Sequence, residues 1–206
     1  MVENGKRGVG TGSYLRNLDA FTYRGWHRPY NRAWLVTLRY PGDAIVGLRT
    51  KARVDVGSKA PEFTLPSQSG EMVSLSAFLG RKPLVLFFYP KDDTPGCAKQ
   101  ACAFRDDHEE FGKLDAEVIG VSSDSVDSHK RFAGKHSLPF LLLSDEGGAV
   151  RKLYGVPNAF GLFPGRVTYV IDVEGTVRHV FASQLDVEKH VEEARKVLGS
   201  VYASVS

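Results

Sequence analysis

Cys97 and Cys102 are the only two cysteines in this 206-residue chain, and they lie five positions apart. Pro90-Lys91-Asp92-Asp93-Thr94-Pro95-Gly96 leads into them, a run of turn formers that gives way to a helix start. The residues from about Pro95 to Lys113 read as one helix, so Cys97 falls in its first turn. A thiol there faces backbone N–H groups that lack intrahelical partners, together with the positive end of the helix dipole. Both favour the thiolate. Nucleophilic sulfur chemistry is therefore the expectation for Cys97. The competing reading, a small buried apolar side chain, is the usual fate of a free cysteine and carries more weight for Cys102.

On one intact helix, five residues turn the chain by about 500° and advance it about 7.5 Å, which sets the two Cα atoms about 9 Å apart. A disulfide spans at most about 7 Å. A redox-active pair would therefore require the first turns to unwind in every cycle. Zinc binding by Cys97, Cys102 and His108 lacks a fourth ligand and a familiar spacing. His129, His136, His179 and His190 are dispersed along the chain, and Trp26 and Trp34 have no assignable role.

The elements that must position the thiols are legible on either side of them. Leu84 to Tyr89 is a continuous apolar run, the pattern of a strand buried on both faces, and it delivers the chain to the cysteine loop. Ahead of it, residues 63–65 and 72–75 suggest a short hairpin and 76–79 a brief helical turn. Behind the helix come a strand over 116–122, a helix over 126–136, a strand over 139–143 and a short helix over 147–154. Residues 166–172 and 176–181 form a hairpin around Glu174-Gly175, and 187–198 closes as an amphipathic helix. Strands alternating with helices imply right-handed crossovers and an α/β fold, with a mixed central sheet covered by helices on both faces.

An apolar fraction of 42% and a charged fraction of 25% are ordinary for a soluble globular protein. Two cysteines are too few for a secreted disulfide framework, so both thiols are expected to be reduced or redox-active. The formal charge of +3 is unevenly spread: residues 1–55 carry ten basic against four acidic side chains, which leaves the remainder mildly acidic. A composition change near Val54 divides the chain into a basic leader, 1–54, and a globular domain, 55–206. The basic residues of the leader are scattered, which speaks against nucleic-acid binding. No apolar run approaches the roughly 20 residues of a membrane span, and the first residues lack the apolar core of a secretory signal. An Arg-rich, acid-poor leader suits a transit peptide, although it is not Ser-rich. A plain extension without a targeting role is the alternative, and Ala33 to Leu38 is its one candidate strand.

The motif residues resemble a known family. Pro90, Thr94 and Cys97 match the peroxiredoxin pattern P-x-x-x-[ST]-x-x-C. The longer string from Phe88 to Cys97, with Cys102 five residues on, is similar to peroxiredoxin Q, the bacterioferritin comigratory type. Gln100 to Asp106, Leu143 to Gly147 and Phe163 to Arg166 match as well, and the likeness spans roughly residues 54–200. The resemblance implies a thioredoxin fold and reduction of hydrogen peroxide and organic hydroperoxides, with no haem, flavin or metal. It implies Cys97 as the peroxidatic and Cys102 as the resolving cysteine, joined in an intramolecular disulfide that thioredoxin or a similar dithiol reduces. Thr94 would contact peroxide and thiolate, Pro90 would shield the site, and Arg166 would hold the thiolate. Ala98, where relatives often have threonine, is a departure. Relatives occur in plastids or in bacterial cytoplasm, and the leader favours the chloroplast. An intramolecular disulfide needs no partner subunit, so a monomer is expected.

The sequence admits two other readings. A general disulfide oxidoreductase normally carries C-x-x-C, and the wider spacing here speaks against it. A redox-regulated chaperone or binding switch is the non-enzymatic alternative, since unwinding around the cysteines would expose apolar helix surface.

Overall fold

The computed structural model describes residues 54–159 and 163–203, all within one compact unit, Leu48–Ser206. All of the leader but Val54 lies outside the described residues, its candidate strand and both tryptophans included. The chain enters through an antiparallel hairpin of β1 (Thr64–Pro66) and β2 (Met72–Ser74), followed by a 3-10 turn, Leu75–Ala77. Then come β3 (Leu84–Phe88), α1 (Pro95–Asp106), α2 (His108–Lys113), β4 (Glu117–Ser122), α3 (Val126–His136), β5 (Leu141–Ser144) and α4 (Ala149–Leu153). A two-residue hairpin of β6 (Asn158–Ala159) and β7 (Phe163–Pro164) precedes β8 (Val167–Ile171), β9 (Val177–Ala182) and α5 (Lys189–Ala203).

Five strands form the central sheet in the order β5-β4-β3-β8-β9. β3 pairs parallel with β4 and antiparallel with β8, and the sheet is mixed as expected, the thioredoxin arrangement. Every residue of β3 is at most 1% exposed, which explains its unbroken apolar sequence. Successive side chains alternate between faces. Val85, Phe87 and Tyr89 pack with Phe104, Phe111, Phe132 and Val191, under α1, α2, α3 and α5. Leu84, Leu86 and Phe88 pack on the other side with Phe63, Leu75, Val150 and Tyr154.

The cysteine helix is fixed to the sheet by a stacked ring pair, Phe87 and Phe104, with centroids 4.5 Å apart. Gly120 on the adjacent strand makes room for it: a Cβ there would lie 2.7 Å from Phe87 Cζ and 2.8 Å from Leu142 Cδ2.

The single helix expected over 95–113 is in fact two. The chain breaks at Asp107 (φ −91°, ψ 6°), whose carboxylate accepts from Arg195 of α5 at 3.1 Å. His108-Glu109-Glu110 then restarts the helix with acids in its first turn, where the dipole favours them. The β6–β7 hairpin has no counterpart in the sequence pattern, because two-residue strands leave no periodic trace. Other elements lie within a few residues of expectation, except that α5 runs on to Ala203. Among the described residues no helix is long and apolar enough to cross a membrane.

Candidate active site

The loop from β3 into α1 is held from below by a buried polar cluster. Asp92 Oδ1 accepts from the Tyr89 hydroxyl at 2.7 Å, and its Oδ2 accepts from Ser128 Oγ at 2.8 Å and lies 2.9 Å from His129 Nδ1. The Asp92 backbone N–H donates to Asp124 Oδ2 at 2.9 Å. A carboxylate this deeply buried is tolerable because it is multiply hydrogen-bonded. Burial, then the neighbouring Asp92, pushes the Tyr89 phenol well above its usual range, so its proton stays in place as the donor. The next residue, Asp93, takes a left-handed conformation (φ 56°) and pairs with Lys135 at 2.7 Å. The loop therefore enters α1 in one fixed direction.

Cys97 is 2% exposed, the third residue of α1. Arg166, 3% exposed, donates from Nη2 to Cys97 Sγ at 3.3 Å. Its Nη1 donates to Gln100 Oε1, one turn along α1, so the guanidinium is gripped from two sides. Gly165 lets this arginine in: a Cβ there would sit 2.1 Å from the Pro157 carbonyl oxygen.

A second buried guanidinium supports the first. Arg151 of α4 donates to the Gly165 carbonyl at 2.8 Å and to the Tyr89 carbonyl at 2.6 Å, tying together the two segments that flank the thiol. Burial pushes Arg151 below the usual arginine range, against the opposing pull of Asp145 and the Cys97 sulfur. Behind Arg166, His190 lies between Thr168 Oγ1 at 2.8 Å and the Ser183 carbonyl at 2.9 Å. A neutral ring satisfies both, with Nδ1 accepting and Nε2 donating. Burial pushes its pKa down to about 4, the Ser183 carbonyl works the other way, and Arg166 adds to the depression.

The remaining expected residues are placed as follows. Pro90 is half-buried at the end of β3. The Thr94 hydroxyl donates to the Lys91 carbonyl at 3.1 Å and makes no side-chain capping bond to α1. Cys102 is a free, half-buried thiol on the same helix as Cys97, and its sulfur lies 3.6 Å from His136 Nδ1. His108 packs against Phe140, with ring centroids 6.5 Å apart. Ala98 packs on the apolar cluster around α1. Reasoning from sequence missed Gln100, Arg151, Asp92 and His136 as parts of this region. Gln100 and Asp92 lie inside motif strings already noted, so proximity in sequence was a usable signal for them; Arg151 lies outside every such string. His136 had no such signal.

The AhpC/TSA family model matches residues 56–180. The chloroplastic peroxiredoxin Q of Sedum lineare is 57% identical over 151 residues, covering 73% of this chain and 81% of that protein. Peroxidoxin BcpB from Mycobacterium tuberculosis superposes with a TM-score of 0.68 at 36% identity, covering 72% of this chain and 99% of its own. The bacterioferritin comigratory protein of Xanthomonas campestris, whose structures address alkyl peroxide reduction, gives 0.62 at 32% identity over 68% of this chain and 91% of its own. The chloroplast location expected from the leader agrees with the plant relative, and the chain is a chloroplast protein by that kinship. A reactive-looking buried thiol under an arginine, on a thioredoxin fold with this level of identity, leaves one conclusion: the chain belongs to the AhpC/TSA family, as a peroxidase of the peroxiredoxin Q type.

Proposed function

We propose that the domain spanning residues 55–206 reduces hydrogen peroxide and small organic hydroperoxides through a sulfenic acid on Cys97 and an intramolecular Cys97–Cys102 disulfide. The observation that carries this is the contact between the Arg166 guanidinium and Cys97 Sγ, 3.3 Å apart and buried at the start of α1. The thiolate attacks one peroxide oxygen in line, the O–O bond breaks, and its electron pair leaves on the second oxygen, which takes up a proton. Arg166 and the first N–H groups of α1 stabilise that developing charge with little rearrangement. With its hydrogen committed to the Lys91 carbonyl, Thr94 Oγ1 keeps lone pairs for the incoming peroxide O–H. Pro90 contributes no backbone donor and screens the thiol.

Cys102 sulfur then displaces hydroxide from the sulfenic acid, so that an S–S bond forms, the S–O bond breaks and water is released. Both cysteines sit on the continuous helix α1, so this step requires its first turns to unwind. Thioredoxin or a thioredoxin-like dithiol restores both thiols by exchange, emerging as the disulfide. The organic-peroxide part of the reading draws on the alkyl peroxide activity named for the Xanthomonas campestris relative. The unit that turns over is the monomer, since both cysteines belong to one chain.

The test is peroxide consumption by the reduced protein with thioredoxin and its reductase. Cys97→Ser is expected to abolish turnover and Cys102→Ser to stall after one equivalent. Undiminished turnover by Cys97→Ser would sink the reading, and sustained turnover by Cys102→Ser would move resolution to an external thiol.

A further inference from the structure

Cys102 has a neighbour that the scheme above does not use. His136, the last residue of α3, places Nδ1 3.6 Å from Cys102 Sγ, within the range of a hydrogen bond to sulfur. Across the ring, Nε2 is buried without a hydrogen-bond partner among the described residues and lies 3.7 Å from Asp93 Oδ1, an ion-pair separation. Asp93 is held in turn by Lys135 at 2.7 Å. From α1, Arg105 donates to the His136 carbonyl at 2.9 Å, and its own charge is favoured first by Asp106 and then by the Cys102 sulfur. The Phe132 ring covers the imidazole edge-on, with centroids 5.0 Å apart. Thiol, imidazole and carboxylate thus form a line across three segments: α1, α3 and the loop before α1.

We propose that His136 is the general base of the resolving step, taking the proton from Cys102 Sγ while Asp93 steadies the imidazolium that forms. The proposal rests on Cys102 being the resolving thiol. The tautomer it needs carries hydrogen on Nε2, facing Asp93, and leaves Nδ1 free to accept. Proton transfer occurs while α1 is intact, the geometry in which the two groups touch. Unwinding then carries a thiolate to the Cys97 sulfenic acid. The S–S bond forms, hydroxide leaves, and the imidazolium proton, returned directly or through solvent, makes it water. The arrangement also gives the order of events a physical reason: the attacking sulfur is charged before it is freed.

The size of the effect follows from the ordinary thiol. With a pKa of about 8.5, an unassisted cysteine is roughly 3% thiolate at pH 7, so a base that deprotonates it fully accelerates attack at most about 30-fold. The experiment mixes the reduced full-length protein with one equivalent of hydrogen peroxide and quenches it at intervals. Trapped sulfenic acid and Cys97–Cys102 disulfide are counted by mass spectrometry from pH 6 to pH 9. His136→Gln keeps a polar side chain that does not titrate. It is expected to slow disulfide formation about 10- to 30-fold at pH 7, with sulfenic acid accumulating, and to approach the wild-type rate at pH 9. His136→Ala guards against a packing defect in the glutamine variant, and added imidazole is expected to restore part of its rate.

A His136→Gln rate equal to wild type, a deficit of the same size at every pH, or faster disulfide formation would overturn the proposal. The last would make His136 a latch that holds α1 closed. If the wild type forms no Cys97–Cys102 disulfide at all, the resolving role of Cys102 fails first and this inference falls with it.

Discussion

Replacing Arg166 by glutamine removes the guanidinium that donates to Cys97 Sγ and leaves a shorter, neutral side chain that still carries hydrogen-bonding groups. The wild-type guanidinium forks, with Nη2 on the sulfur at 3.3 Å and Nη1 on Gln100 Oε1, and it is already desolvated before peroxide arrives. Hydrogen bonds to charged partners contribute about 1.5–3 kcal/mol, and deleting one preorganised donor to developing negative charge costs about 2.7–4 kcal/mol of activation energy. The second-order rate of sulfenic acid formation is therefore expected to fall about 10²- to 10³-fold in Arg166→Gln. Arg166→Lys keeps the charge but not the fork, since an ammonium is a point donor on a flexible stem, and a loss of about 10-fold is expected. Competition for peroxide against a haem peroxidase of known rate measures this step without involving Cys102. Arg151→Gln is the internal comparison. Arg151 donates to the Tyr89 and Gly165 carbonyls and not to the sulfur, so its loss strands two buried acceptors at about 1–3 kcal/mol each and registers in unfolding more than in rate. An Arg166→Gln rate within threefold of wild type, or an equal rate loss in Arg151→Gln, would refute this division of labour.

Two further expectations concern the frame around the arginine. His190 holds a pKa of about 4 in the fold, against about 6.5 when unfolded, so the unfolded chain binds the proton first. Its contribution is whole above pH 6.5 and is lost as pH falls towards 4, about 3 kcal/mol in all. Urea unfolding across that window should show the decline, and His190→Gln should flatten it; equal slopes in the two proteins would count against the assignment. Gly165→Ala forces a methyl against the Pro157 carbonyl, so backbone must move beside Arg166. A destabilisation of about 1–3 kcal/mol, with slower sulfenic acid formation, is expected from the urea midpoint and the competition assay, and an unchanged midpoint would show that the loop yields freely.

The strand under the site was readable because its signal is local. Six consecutive apolar residues, Leu84 to Tyr89, can be buried on both faces only by a central strand, and β3 lies at the middle of the sheet. α3 was equally plain over 126–136, and in the structure the Ser125 hydroxyl accepts from the Ser128 N–H at its start. The break at Asp107 was less so, because an aspartate with two acids behind it interrupts a helix only when something such as Arg195 holds it there.

The site divides along the same line. Cys97 at a helix start, and the wide spacing to Cys102, are properties of a short segment, so the expectation of a nucleophilic thiol and of unwinding for any disulfide came from sequence and helix geometry. Arg166 was singled out by the resemblance of Phe163 to Arg166 to a family motif; on chemistry alone it reads as an ordinary strand-edge arginine. It reaches Cys97 because β8 pairs antiparallel with β3, which puts the start of one strand beside the end of the other. Arg151 spans 62 residues to the Tyr89 carbonyl, and His136 spans 34 to Cys102. Periodicity and turn chemistry record which face of an element is buried. They leave no trace of which element will lie opposite, because strand order and helix docking are settled by the packing of the whole core. The thiols were therefore the sequence's to declare, and the charges gathered around them were decided by the tertiary fold.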